Sequence, residues 1–348
     1  MKYFKHIILI FFVLFSATVF AENDTVQTAE NQEFNIKEMI FEHIGDAYEW
    51  HLLGHTAIPL PIIVRSSNTG WHVFSAARLE HGETYNGFVF SVSENHKGKV
   101  VEINAQGEEI RPLDLSLTKN VISIFMTCAI LLTIFLTMAY KYKKEPIRSR
   151  RGFLGTIEML TMSIYEDVIK PCVGHDYKRF APYLLTVFFF IFTSNLMGLI
   201  PFFPFGANVT GNIAVTFVLA MFTFVITNVF GNKHYWKEVF NPDVPIFLKA
   251  IPIMPLVEFL GLFTKPLALM IRLFANMMSG HMVVLVFVGL IFIFNIMMGA
   301  VTASLVSVVS VAFSIFMIAL DVLISFIQAY VFTILSSIFI GMARAEHH

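Results

Sequence analysis

The chain has 348 residues, 56% of them hydrophobic and 14% charged, with 38 phenylalanines and a formal net charge of −1. Soluble domains carry about 25% charged residues, so this composition excludes an ordinary soluble domain and reads as an all-α polytopic membrane protein. Nucleic acid is excluded as a partner too: the basic residues cluster beside one apolar tract, where membrane topology accounts for them.

Residues 1–21 open with Lys2 and Lys5, continue through an apolar run from Ile7 to Phe15, and end in Val19-Phe20-Ala21. A basic start, a short apolar core and compact residues before Glu22 form a secretory signal peptide. An uncleaved first span is the other reading, and either one exports the segment beginning at Glu22. Residues 22–117 are polar and make an extracytoplasmic N-terminal extension. Its first part is acidic, with eight acidic residues and one lysine between Glu22 and Glu49. Ile36, Met39, Ile40 and Ile44 fall at helical intervals and predict a short helix over Phe34–Leu53. Beyond Pro59, the runs Ile62–Val64, Gly87–Val92 and Lys99–Ile103 alternate with turn residues. Asn95-His-Lys-Gly98 between two of them predicts a hairpin, so the extension reads as a small β-rich domain. His51 and His55 stand four apart, as two zinc ligands on a helix would. No HExxH or recognised carboxylate set accompanies them, and exposed polar histidines are the simpler reading. Cys128 and Cys172 sit in or near predicted spans, which leaves the extension no disulfide.

The membrane domain covers residues 118–348. Residues 121–140 are the first clear span. Lys141, Lys143, Lys144, Arg148, Arg150 and Arg151 come directly after it, which places that end in the cytoplasm and agrees with an exported N-terminus. Residues 153–169 carry Phe153, Leu154, Ile157, Leu160, Ile164 and Val168 near one face and predict an amphipathic helix on the cytoplasmic surface, closed by Lys170-Pro171. Residues 181–200 and 212–230 are the next two spans, joined by a Pro- and Phe-rich turn. Gly231–Lys249 reads as a cytoplasmic loop.

Two tracts, 251–300 and 301–343, are each twice as long as one crossing requires. No charged turn interrupts either, which predicts two long, strongly tilted helices. That gives about five membrane-crossing helices, with the N-terminus periplasmic and the C-terminus cytoplasmic. Between Pro252 and Met342 the only charged side chains are Glu258, Lys265, Arg272 and Asp321. Arginine at the centre of a membrane helix costs roughly 3 kcal/mol on insertion scales, so Arg272 is the first functional candidate. At 100° per residue Glu258 falls within roughly 40° of Arg272, Asn276 lies one turn away, and His281 points to nearly the opposite side. On the second tract Ser307, Ser310, Ser314, Asp321, Ser325 and Gln328 share a stripe roughly 60° wide. Such a stripe faces water or a polar helix, or else packs helices closely through small residues. For His281 a structural role stands beside a relay role, and Lys265 next to Pro266 reads as a snorkelling side chain.

Three ordered blocks carry a resemblance. Lys265-Pro266 with Arg272-Leu-Phe-Ala-Asn276-Met and Gly280, the stretch Pro182–Pro201, and Gln328-Ala-Tyr-Val-Phe-Thr-Ile-Leu resemble subunit a of F-type ATP synthases, over about Asn120–Ala345. The resemblance implies a proton-conducting stator subunit in a bacterial inner membrane. Its implied partners are the c-ring, the subunit b peripheral stalk, the other ATP synthase subunits and the lipid, and it implies no cofactor. It makes Arg272 the charge facing a c-ring carboxylate and Asn276 its neighbour. Glu258 becomes a channel carboxylate and Gln328 the glutamine opposite the arginine. His281 and Asp321 take the place of a protonatable pair that some members carry in reverse order, and Ser325 lies on the same pathway. An inlet half-channel lined by Glu258, His281 and Asp321 is the expectation. The rival reading is a self-contained proton-coupled secondary transporter or channel gated by Arg272 and Asp321. Such transporters show paired halves with broken helices, and no repeat is present. No GxxxxGK[ST] occurs, so the chain carries no ATP site of that kind.

Overall fold

A computed structural model describes residues 45–53, 56–66, 69–79, 83–91, 93, 96–104, 107–145, 152–200, 205–240 and 253–345. The stretch read as a signal peptide, the acidic run before residue 45 and the turn expected at 201–204 lie outside these residues.

Among the described residues, eight short strands occupy the N-terminal part: β1 Glu49–Leu53, β2 Thr56–Pro59, β3 Pro61–Ser66, β4 Gly70–Ser75, β5 Phe88–Phe90, β6 Val100–Ile103, β7 Glu109–Ile110 and β8 Leu113–Asp114. They form three antiparallel sheets, ordered β1-β2, β4-β3-β8 and β5-β6-β7. Alternation sets the facing of β3. Ile62 and Val64 point inward while Pro61 and Arg65 are exposed, so the hairpin with β4 turns one apolar face onto Tyr48, Leu79, Phe88 and Val100. The Tyr48 phenol donates to Asp114, and burial together with that carboxylate holds its pKa well above the usual phenol range.

The predicted hairpin forms as β5–β6, with Val89 opposite Val101. The helix expected over Phe34–Leu53 does not reach its predicted end. Tyr48 and Trp50 are buried on alternate positions, Trp50 pairs with Ile58, and Glu49–Leu53 is therefore strand β1. His51 lies on that strand, and His55 lies outside the described residues.

The described residues beyond them hold the helices α1 Lys119–Lys144, α2 Phe153–Ser163, α3 Tyr177–Leu199, α4 Ile213–Val229, α5 Lys233–Phe240, α6 Ile253–Met298 and α7 Ala300–Arg344. Four described helical stretches are long and apolar enough to cross a membrane, or up to five if α4 and α5, whose axes differ by 103°, make one crossing. The chain is a mostly helical multi-pass membrane protein with β strands near its N-terminus.

Helix α2 does not close at Lys170-Pro171. It continues through a π-turn, Ile164–Ile169, a last helical turn, Lys170–Val173, and a 3-10 turn, Gly174–Asp176. A π-turn widens the helix just before the proline, which lacks a donor and would clash with a regular preceding turn. The apolar face predicted on α2 packs inward: Ile157, Leu160, Ile164 and Val168 join Leu184, Phe188, Leu273 and Phe332 in the helical core. The loop expected over Gly231–Lys249 contains α5, whose Tyr235 hydroxyl donates to Asn228 Oδ1 at 3.2 Å.

The two long tracts are single helices of 46 and 45 residues, separated only by Gly299 at φ 82°. At 1.5 Å per residue each is roughly 70 Å long, over twice the hydrocarbon thickness. Two close approaches position them. A Cβ on Gly341 of α7 would stand 2.0 Å from the Cys172 carbonyl oxygen, so only glycine lets the backbones cross there. At the same end Arg344 donates to Asp176 and, at 2.7 Å, to Asn232 Oδ1, while the Asn232 N–H donates to the Ala343 carbonyl at 2.8 Å. These bonds tie the last turn of α7 to both neighbouring loops.

Candidate ion pathway

Helix α6 carries the candidate residues in a row, and its own rise separates them. Fourteen positions, or about 21 Å, lie between Glu258 and Arg272, and nine positions, or about 13 Å, between Arg272 and His281. Glu258 is exposed near Tyr235 of α5, at the end where α4 finishes. There, Thr223, Thr227, Asn228, Tyr235 and Lys265 line a small cleft. His281 lies at the other end, against Gly198 near the end of α3, with Lys119 of α1 within electrostatic reach. A single half-channel lined by Glu258, His281 and Asp321 is therefore not formed; the structure brings the last two together and leaves the first about 34 Å away along the helix.

Asp321 packs directly on Gly280. A Cβ at that glycine would be 2.7 Å from Asp321 Oδ1, so its bare Cα makes the space the carboxylate occupies, one residue before His281. The imidazole and carboxylate are not hydrogen-bonded to each other: His281 Nε2 and Asp321 Oδ2 are both buried without a partner among the described residues. The polar stripe of α7 faces inward. Ser310, Asp321, Ser325 and Gln328 are buried, whereas Ser307 and Ser314 are half-buried. Ser325 returns its hydroxyl to the Asp321 carbonyl of its own helix at 2.7 Å, which fits close packing. Gln328 accepts from the Asn276 amide at 2.7 Å, a bond that joins α6 to α7 one turn beyond Arg272. Arg272 itself is exposed, with no ion pair or hydrogen bond among the described residues.

Sequence patterning missed several buried polar groups that face this region. Thr210 donates to Asn195 Oδ1 at 2.5 Å, and Ser194 reaches Thr127 at 3.5 Å. Ser194 and Asn195 stand out as polar residues within an apolar span, and that is the available signal.

Comparison with known proteins decides the family. The family model described as ATP synthase A chain matches residues 121–341. The chain belongs to this family. It is 43% identical over 241 residues to ATP synthase subunit a of Chloroherpeton thalassium, covering 68% of this chain and 69% of that protein. Proteins of the same name from Chlorobium phaeobacteroides, 44% identical (68% of this chain, 67% of theirs), and Pelodictyon phaeoclathratiforme, 45% identical (68% of each), are similar to the same degree. Residues 39–116, most of the β-rich part, match a separate model described as a domain of unknown function (DUF8433).

Proposed function

We infer that the chain is the proton-translocating stator subunit of a rotary ATP synthase, embedded in a bacterial inner membrane and not the catalytic subunit. The observation that carries the mechanism is Arg272, an exposed guanidinium midway along an apolar helix and unpaired within the described chain. A permanent charge there needs a carboxylate from outside the chain, and a c-ring carboxylate meets that need. Guanidinium stays protonated, so it pairs with a deprotonated ring carboxylate without carrying a proton across. Lysine would serve less well, because burial lowers its pKa.

Polar ground on both sides of Arg272 supports two half-channels. His281 and Asp321 belong to the inlet, on the side of the β-rich domain, which we place in the periplasm. Glu258, Tyr235 and the cleft at Lys265 belong to the outlet, on the cytoplasmic side. Asn276 and Gln328 lock α6 to α7 beside the arginine, and Ser325 is buried one turn away on α7. In this reading five helices cross the membrane, α6 and α7 strongly tilted along the ring, and subunit b holds the assembly still. Each proton crossing 100 mV releases about 2.3 kcal/mol, so the ring must pool several per ATP. The transporter reading is not favoured, since it offers Arg272 no counter-charge.

The test is ATP-driven proton pumping in inverted vesicles, wild type against Arg272→Ala, with c-ring co-purification as the control for assembly. Loss of pumping in an assembled complex is expected. Normal pumping by the mutant would overturn the stator assignment.

A further inference from the structure

The outer face of the sheet β4-β3-β8 has the wrong polarity for water. An antiparallel sheet packed on one side alternates apolar residues inward with polar residues outward. Ile62 and Val64 of β3 and Phe74 of β4 fill the inner face as expected. The outer positions of the same sheet are apolar too. Val73 is 70% exposed, Leu115 57%, Leu113 56% and Trp71 54%. Register gathers them into one patch: Trp71 and Leu113 flank Arg65, and Val73 and Leu115 flank Ile63. Asp114, between the two leucines, turns inward to accept from the Tyr48 hydroxyl. Arg65 is therefore the one charge on the outer face of the described strands, its guanidinium 5.8 Å from the centre of the Trp71 ring. A contiguous exposed apolar face of this kind marks an interaction site.

The connection to α1 says what lies against it. Leu115 and Leu113 precede Lys119, the first residue of α1, by four and six positions. Even a fully extended chain keeps them within about 14 and 20 Å of that residue. Helix α1 is long and apolar enough to cross a membrane, so a bilayer surface is always within reach of the patch. The ladder also continues past β8, where the Leu117 N–H donates to the Pro61 carbonyl at 3.2 Å. Leu113, Leu115 and Leu117 thus form an unbroken apolar row on one face, leading straight into the membrane helix. Nor can the domain swing away on a loose linker. Lys119 N–H donates to the Ala47 carbonyl at 3.0 Å and Asn120 N–H to Asp46 Oδ1 at 3.1 Å, which clamps the domain to the first turn of α1. The side chains suit a lipid surface: tryptophan is enriched at headgroup level, and arginine extends its charge to the polar layer and pairs with phosphate.

We propose that the outer face of β4-β3-β8 lies on the bilayer surface, with Trp71, Val73, Leu113 and Leu115 in the headgroup layer and Arg65 on a phospholipid phosphate. The β-rich domain is then a lipid-resting anchor that fixes the depth of the first turn of α1. The proposal requires α1 to cross the membrane and is independent of the proton-translocating reading.

The test keeps the assembled complex in a membrane containing a phospholipid with a carbene-generating diazirine at the top of its acyl chain. After illumination, mass spectrometry locates the adducts. Labelling of Trp71, Val73, Leu113 and Leu115 is expected to exceed several-fold that of Ile103 and Ile110, which are exposed on strands of a different sheet. Equal labelling of the two sheets, or none on the patch, overturns the proposal. A spin label on Val73→Cys supplies a second reading, with Cys128→Ser and Cys172→Ser as background and accessible cysteines of the other subunits replaced likewise. Val73 points away from the core, so the substitution leaves the packing of the domain intact. Collisions of the label with oxygen are expected to outweigh those with a water-soluble nickel chelate. Dominant access of the chelate would place the face in water, and poor access of both would mean that another protein or a second copy covers it. Either result overturns the proposal. Neither measurement reads proton pumping, so failure here is distinguishable from failure of the stator assignment.

Discussion

Asp321 of α7 sits where a side chain on Gly280 of α6 would be, its Oδ1 2.7 Å from the position of a Cβ there. The carboxylate proposed as a proton carrier is thus held by the absence of an atom on the facing helix. In an isolated helix Gly→Ala stabilises by about 1 kcal/mol. Here the added methyl overpacks the crossing, a change that destabilises by roughly 1–3 kcal/mol. Gly280→Ala should therefore assemble but pump several-fold more slowly, as the carboxylate is displaced from His281. Pumping rates and c-ring co-purification check this, and a fully active Gly280→Ala enzyme would contradict it.

Gly341 offers a contrast. Its missing Cβ faces the Cys172 carbonyl at 2.0 Å, and backbone cannot swing aside as a side-chain tip can. Gly341→Ala should fail to assemble rather than assemble and pump slowly. The amount of subunit recovered with the ring in mild detergent measures it.

The Asn276–Gln328 bond has a testable strength. Hydrogen bonds between membrane helices average about 0.6 kcal/mol in double-mutant cycles, with a maximum near 1.7. Asn276→Leu and Gln328→Leu should each destabilise, because each strands a polar partner, and the double mutant should recover part of the loss. Unfolding of the purified subunit in mixed micelles gives the coupling energy; strict additivity would show that the bond contributes nothing.

Arg344 joins α7 to the loops at Asp176 and Asn232 through a planar fork of donors. Arg344→Lys supplies the charge without the fork, so it should destabilise nearly as much as Arg344→Ala, by roughly 1–3 kcal/mol. Earlier thermal release of subunit from both mutants is the expected result, and a wild-type profile for the lysine variant would refute the geometric account.

On the β-rich domain, Glu109 accepts from the hydroxyls of Ser91 and Ser93, each at 2.7 Å, and these bonds lower its pKa. A carboxylate with a depressed folded pKa stabilises fully above its unfolded value of about 4.3 and loses that effect as pH falls through the folded value. Amide protection factors around Ser91 and Ser93, taken relative to the intrinsic exchange rate at each pH, should therefore be high at neutral pH and fall in strong acid. Glu109→Gln should flatten that dependence.

Much of this protein is legible in the order of its residues. The unbroken apolar tracts at 251–300 and 301–343 dictate two long helices, because nothing in them could satisfy a turn inside lipid. Arg272 and Asp321 stand out for the same reason, and alternation beyond Pro59 discloses the strands. Tertiary structure decided what periodicity leaves open. Period-two burial of Tyr48 and Trp50 overrode a helical pattern, and a π-turn carried α2 past Pro171. The rise of α6 put Glu258 and His281 at opposite ends, although an angle on a helical wheel sets only their facing. Which polar residues meet depends on how helices distant in sequence cross, and the crossings at Gly198, Gly280 and Gly341 rest on the facing partner as much as on the glycine. A single chain read in order names the glycine; only the packed structure names what stands against it.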